Sequence, residues 1–140
     1  MNVTATRDVA APLDKVFALL ADAAGWPRWN PNFKDVTPLG PGPFAVGYQA
    51  KLKSADGPEA TAEVATLEPG KRVVWKSKVM GMTLTIVHAV ADKGAGATSV
   101  TFETSLEGGL GSLMGGFMKT KLEKALNDGL DGLKKAAEAK

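Results

Sequence analysis

A change in hydrophobic periodicity late in the chain most constrains the fold. From Phe33 to Glu107, apolar and polar residues mostly alternate, which is typical of β-strands that have one buried face. After Gly108-Gly109, apolar residues recur every three or four positions, which predicts one long amphipathic helix from Ser112 to about Glu138. An antiparallel sheet followed by such a helix indicates an α+β fold in which the helix lies on the concave face of the sheet.

Turn-forming clusters of Gly and Pro divide the alternating region into short strands. The predicted strands cover 44–53, 59–68, 72–80, 82–92 and 97–107, with a weaker strand near 33–39 and an N-terminal strand over 2–9. Short connections make neighbouring strands mostly antiparallel. The sequence therefore predicts a curved sheet of six to seven strands.

Two short helices are predicted between the first two strands. Pro12 suits the first turn of a helix that runs to about Ala23. The segment from Gly25 to Pro31 holds two prolines, which leave room for no more than one further helical turn. Trp29 in this aromatic corner either caps the mouth of a cavity or wedges the short helix against the sheet. With 140 residues, the chain is predicted to form a single domain over 1–140.

Composition excludes several classes of function. The chain has no Cys and one His, which removes thiolate metal sites, cysteine nucleophiles and zinc sites that need two imidazoles, so we expect no cofactor. A net charge of +2 is too small for a nucleic-acid partner. No targeting signal or membrane-length apolar run occurs, so we expect a cytoplasmic protein without integral membrane association. Its oligomeric state stays open between monomer and homodimer.

Several short motifs follow one another along nearly the whole chain. They are Ala11-Pro12 with Val16, the segment Gly25-Trp26-Pro27-Arg28-Trp29-Asn30-Pro31, Gly47, Glu68-Pro69-Gly70 before Val73-Val74-Trp75, and the run 126–134. Together they resemble the START-like (SRPBCC) helix-grip superfamily, in its bacterial polyketide cyclase/dehydrase branch. The resemblance implies a sheet that grips the C-terminal helix, with a cavity between them for lipids, sterols or polyketides. It leaves the chemistry open.

A predicted ligand-binding set follows from the inward faces of the strands and the apolar stripe of the helix. Many of the strand residues are small Ala, Thr and Gly, which favours an incompletely filled interior. The predicted binding residues are Trp29, Tyr48, Leu52, Trp75, Ser77, Ile86, His88, Val100, Phe102, Met114, Phe117, Met118 and Leu122.

His88 and Tyr48 are the two candidates for chemistry in this set. His88 is a polar anchor or a general acid/base if it faces the cavity, and otherwise a neutral histidine bonded within the sheet or facing solvent. Alternation in its strand allows either face to point inward, although the face with His88 is the more apolar one. The phenol of Tyr48 either contacts a ligand carbonyl or belongs to an aromatic wall.

The start of the predicted C-terminal helix suggests a gate. Met114, Phe117, Met118 and Leu122 follow a cluster of glycines, and methionine adapts to irregular ligands. A plain core stripe is the alternative for these residues.

Three hypotheses of function follow. The leading one is a protein that binds a small hydrophobic molecule between sheet and helix, with binding preferred over catalysis and the question of enzyme activity left open. The first alternative is a cyclase or dehydratase that uses Tyr48 and His88 for proton transfer. The second is a protein-interaction module acting through the outward-facing lysines 51, 53, 76 and 78.

Overall fold

The computed structural model describes residues 2–55, 57, 59–79, 81–108 and 115–139, with only the backbone described at 79 and 115–118. The elements are β1 (Asn2–Val9), α1 (Leu13–Ala21), a 3-10 helix (Ala23–Arg28), β2 (Phe33–Pro38), β3 (Gln49–Ser54), β4 (Glu59–Glu68), β5 (Arg72–Val79), β6 (Met82–Gly94), β7 (Ala97–Glu107) and α2 (Gly115–Glu138).

The seven strands form one antiparallel sheet in the order β1-β7-β6-β5-β4-β3-β2. The sheet curls into a half-barrel, and α2 lies along it against β1 and β7, with α1 at its C-terminal end. This arrangement confirms the predicted α+β helix-grip fold with seven strands and two short helices between β1 and β2.

Burial along the strands confirms the predicted inward faces. Val73, Trp75 and Ser77 of β5 are buried, as are Val100 and Phe102 of β7. On β6 the buried side chains include His88 and Val90. The structure thus decides between the two faces of this strand, and the histidine points inward.

The largest error in the predicted strands concerns the start of β3, which begins at Gln49 and not at residue 44. Gly47 has a φ of +95°, which interrupts the extended conformation before the strand, although Gly47 and Tyr48 still form backbone hydrogen bonds with Val64 of β4. Phe44 folds back so that its ring lies 5.2 Å from Tyr48 and 5.9 Å from Trp75. An apolar alternation at 44, 46 and 48 therefore resembles a strand but belongs to a loop.

The helices differ from prediction at their ends. Helix α1 stops at Ala21, and the following 3-10 helix spans six residues with Pro27 inside it, which is longer than the single turn expected. The predicted start of the long helix at Ser112 lies outside the described residues, and its predicted end at Glu138 is confirmed.

Helix α2 is seated on the corner before β2 through two glycines. A Cβ at Gly132 would collide with the backbone carbonyl of Trp29, and a Cβ at Gly129 would lie 3.0 Å from Nδ2 of Asn30. Leu130 and Leu133, on the same part of the helix, are fully buried. Close backbone approach at Gly132 thus fixes the position of the C-terminal part of α2.

Candidate functional site

A cavity of about 260 Å³ lies between the sheet and the N-terminal part of α2. It opens at the end of the half-barrel where β3 ends and β4 begins. Its described lining is Asn30, Asn32, Phe33, Leu52, Ser54, Glu59, Ala60, Leu84, Ile86, His88, Phe102, Thr104, Leu122, Ala125 and Leu126. Apolar carbon dominates this lining, with a few polar groups placed among it.

Small side chains and the curl of the sheet explain why this space is unfilled. Ala60 on β4 and Ala125 on α2 face it from two sides, while Leu84, Ile86 and Leu122 remain only partly buried. At the other end of the half-barrel the large rings of Trp26 and Trp75 fill the interior and are buried almost completely. The cavity therefore begins where the aromatic packing stops.

The predicted binding set divides into three groups. Leu52, Ile86, His88, Phe102 and Leu122 line the cavity together. Trp29, Trp75 and Val100 are in the hydrophobic core away from the lining, Ser77 donates to the carbonyl of Thr61 on β4, and Tyr48 borders a separate surface groove. Met114 and the side chains of Phe117 and Met118 lie outside the described residues, so the gate stays a prediction.

Some lining residues were absent from the predicted set. Leu84 and Thr104 occupy inward positions of β6 and β7, so the period-two pattern was a sufficient signal for both. Asn30, Asn32 and Glu59 lie at or near connections, where no periodicity indicates which way a side chain points.

His88 is one of three buried polar residues in the cavity lining, with Asn30 and Thr104. Its ring lies between Trp26, edge to face at 5.3 Å, and Phe102 at 4.5 Å. Its Nδ1 is buried and has no hydrogen-bond partner. Burial lowers the pKa of His88 from 6.5 to about 4, because the charged imidazolium is poorly solvated there. The imidazole is therefore neutral at pH 7.

Tyr48 occupies a different environment from His88. Its ring packs on Phe44 and, edge to face at 5.9 Å, on Trp75. It borders a 400 Å³ surface groove formed by the loop between β2 and β3, where Val46 is 63% exposed. Burial, with a smaller contribution from Asp22, raises the pKa of the Tyr48 phenol. The two residues proposed to share proton transfer do not line a common cavity.

The aromatic corner before β2 holds the inner wall in place. The indole N–H of Trp26 donates to the carbonyl of Leu20 at 3.1 Å. Asn32 donates through Nδ2 to the carbonyl of Ala125 on α2 at 2.6 Å, while Asn30 accepts from the backbone N–H of Asn32. The bond from Asn32 to Ala125 connects α2 to the corner beside the cavity.

Metal and membrane sites are not found in the described part of the chain. Among those residues, no group of three or more His, Asp or Glu is positioned to hold a metal ion. No helix there is long and apolar enough to cross a membrane.

The outer face of the sheet carries charges of both signs. In the register of the strands, Lys53 lies opposite Glu59, and Lys76 lies opposite Glu63. Two of the four outward lysines, Lys53 and Lys76, thus lie opposite carboxylates, while Lys51 and Lys78 lie opposite Thr61 and Thr83.

Comparison with known proteins identifies a family over nearly the whole chain and curated relatives over about half of it. A sequence profile described as "Polyketide cyclase / dehydrase and lipid transport" matches residues 1–138. An uncharacterized protein of Mycobacterium tuberculosis is 31% identical over 71 residues, which are 51% of this chain and 42% of that protein. The chain thus matches less than half of the length of this relative.

Solved structures share the fold at low sequence identity. A START superfamily protein from Mycobacterium smegmatis superposes with a TM-score of 0.80 at 18% identity, covering 98% of this chain and 97% of that one. An aromatase/cyclase from Streptomyces sp. R1128 has a TM-score of 0.78 at 19% identity, covering 99% and 93%.

Proposed function

Because the chain belongs to the polyketide cyclase / dehydrase and lipid transport family, we propose that it binds a compact hydrophobic molecule in the cavity between the sheet and α2, for carriage or sequestration. The family and the aromatase/cyclase likeness support a ligand-binding or cyclase role in general. The observation that carries the narrower proposal is the cavity itself, an apolar space with few polar groups, as small-molecule sites usually are.

The size of the cavity limits the ligand. About 260 Å³ lies just below the roughly 300–1,000 Å³ of pockets that take drug-sized molecules. Affinity would come from apolar ligand surface removed from water, at roughly 25 cal/mol per Å² before the costs of association. A molecule of one or two rings, or a short acyl chain, suits this space better than a sterol.

Two features favour binding over catalysis. A general base works best when its pKa lies near the operating pH, and burial holds the pKa of His88 at about 4. Tyr48, the second proposed proton-transfer group, borders a surface groove and not the cavity. A cyclase or dehydratase acting through both residues would need them on one substrate.

The interaction module has less support than either small-molecule hypothesis. Glu59 and Glu63 interrupt the outward lysines on the convex face, so no surface of one charge sign results. No described feature of that face favours a protein partner.

Blocking the cavity tests the proposal. Ala125→Leu places extra carbon atoms in the cavity from α2, whereas Glu123→Leu puts the same side chain on an exposed position of the same helix. With 2-isopropenylnaphthalene as an apolar probe in isothermal titration calorimetry, we expect Ala125→Leu to weaken binding at least tenfold and Glu123→Leu to leave it unchanged. Equal affinity in the two variants would show that the probe binds elsewhere and would refute the proposal.

Catalysis is tested separately on a polyketide-like carbonyl substrate. A carrier should show no turnover that depends on His88 or Tyr48. If His88→Ala and Tyr48→Phe each reduced turnover about 10²-fold or more, the cyclase alternative would replace the binding proposal.

A further inference from the structure

The charges around the cavity restrict the class of ligand. Within the described lining no Lys or Arg is present, and its one acidic residue, Glu59, lies opposite Lys53 on the outward face of the sheet. The stretch 109–118, which joins β7 to the first turn of α2, contains no charged residue in the sequence and therefore supplies no cation either. A carboxylate placed in this cavity would lose its hydration and meet no positive group.

The imidazole of His88 defines the polar contact that is available. Nδ1 is buried against neighbouring atoms and has no partner, so the ring meets the cavity at its other edge, which carries Nε2. A proton on Nδ1 would be a buried donor without an acceptor, which favours the tautomer protonated on Nε2. His88 then presents an N–H donor to the cavity.

Each of the two amides in the lining already makes one hydrogen bond within the protein. Asn32 donates to the carbonyl of Ala125, and the Oδ1 of Asn30 accepts from the backbone of Asn32. His88 therefore offers the cavity an imidazole N–H donor that no contact within the described protein uses.

We infer that the ligand is an uncharged molecule that presents an acceptor oxygen, such as a ketone carbonyl, to the Nε2–H of His88. This inference rests on the proposed function, since it concerns the same cavity. It assigns His88 the role of a specificity-determining residue that selects carbonyl compounds over plain hydrocarbons, while the absence of a Lys or Arg from the described lining disfavours carboxylates.

Three naphthalenes of nearly equal shape test the inference by calorimetry at pH 7.5. They are 2-acetylnaphthalene, 2-isopropenylnaphthalene, in which CH₂ replaces the carbonyl oxygen, and 2-naphthoate. We expect the ketone to bind about fivefold more tightly than the hydrocarbon, the size of one neutral hydrogen bond. The carboxylate should bind at least tenfold more weakly than the hydrocarbon.

Variants of His88 identify the group responsible. His88→Phe should abolish the preference for the ketone while retaining affinity for the hydrocarbon. His88→Gln, which restores an N–H donor at a similar distance, should recover part of the preference and provides a second test if the Phe variant folds poorly.

The outcomes separate the two proposals. Binding of 2-naphthoate as tight as that of the ketone, or a ketone preference that survives in His88→Phe, would overturn the inference and leave the binding proposal standing. If the wild-type protein bound none of the three compounds, the binding proposal itself would fail.

Discussion

The two ends of the half-barrel differ in how their interiors are filled. The closed half consists of the end around Trp26, Trp75, Leu130 and Leu133, where every one of these side chains is nearly inaccessible. The cavity half consists of the end around Leu84, Ile86, Leu122 and Ala125, where the side chains are only partly buried and border open space. One sheet and the same helix run through both halves.

This difference indicates a division of roles along one helix. In the closed half, large rings and fully buried leucines contribute most to the free energy of unfolding, because each buries its whole side chain. In the cavity half, small residues leave space that a ligand can fill.

Shortening leucines on α2 compares the two halves directly. Leu130→Ala removes a fully buried side chain from the closed half and should lower the free energy of unfolding by about 3–5 kcal/mol. Leu122→Ala removes a partly buried side chain that already borders a cavity and should cost about 1 kcal/mol. Guanidinium denaturation followed by circular dichroism measures both values. Equal losses would mean that the two halves are packed equally well.

Acid should destabilise the protein through His88, at the boundary between the halves. Since the pKa is about 4 when folded and 6.5 when unfolded, the unfolded chain binds the proton first as the pH falls. The free energy of unfolding is therefore unaffected by this group above pH 6.5. It falls by about 3 kcal/mol in total as the pH drops from 6.5 to 4.

The matched control for this effect is His88→Phe, which keeps a ring but cannot titrate. The difference in unfolding free energy between wild type and variant, measured by denaturation from pH 8 to pH 4, isolates the histidine from other acid-labile groups. A difference that does not change with pH would mean that His88 is solvated in the folded protein.

A methyl group where α2 contacts the corner before β2 should give the smallest of these changes in the free energy of unfolding. Gly132→Ala gains about 1 kcal/mol in helix propensity but forces a Cβ onto the carbonyl of Trp29, so we expect a net loss of about 1–2 kcal/mol. Gly129→Ala meets only the movable amide of Asn30 and should be neutral or slightly stabilising. Thermal melts of the two variants check the contrast, and a stable Gly132→Ala would mean that α2 shifts easily on the corner.

Much of the fold could be predicted because period-two and helical patterns report burial directly. Local alternation predicts the seven strands and the inward faces of β5 and β7, and helical spacing predicts the end of α2. The start of β3 could not be predicted this way, because Phe44 and Tyr48 are apolar at strand spacing yet pack on Trp75 from a loop. Burial in a loop produces the same pattern as burial in a strand.

The candidate site was less predictable than the fold. Alternation indicated that Ile86, His88 and Phe102 face inward, but not where the interior is empty. The position of the empty space depends on which rings meet across the sheet. Trp75 and Val100, for example, lie on inward faces at places where the core is already full. The place of Asn32 in the lining depends on its hydrogen bond to Ala125 of α2. That residue is almost a hundred positions away, so no local pattern indicates the contact.

The contact between Trp26 and His88 gives the protein a built-in optical reporter. All three tryptophans of the chain are buried, and the indole of Trp26 touches the same imidazole that borders the cavity, at 5.3 Å. Intrinsic emission should therefore respond to whatever enters the cavity and to the charge of His88. Binding of unlabelled compounds and the acid titration of His88 can both be followed without any dye or engineered label.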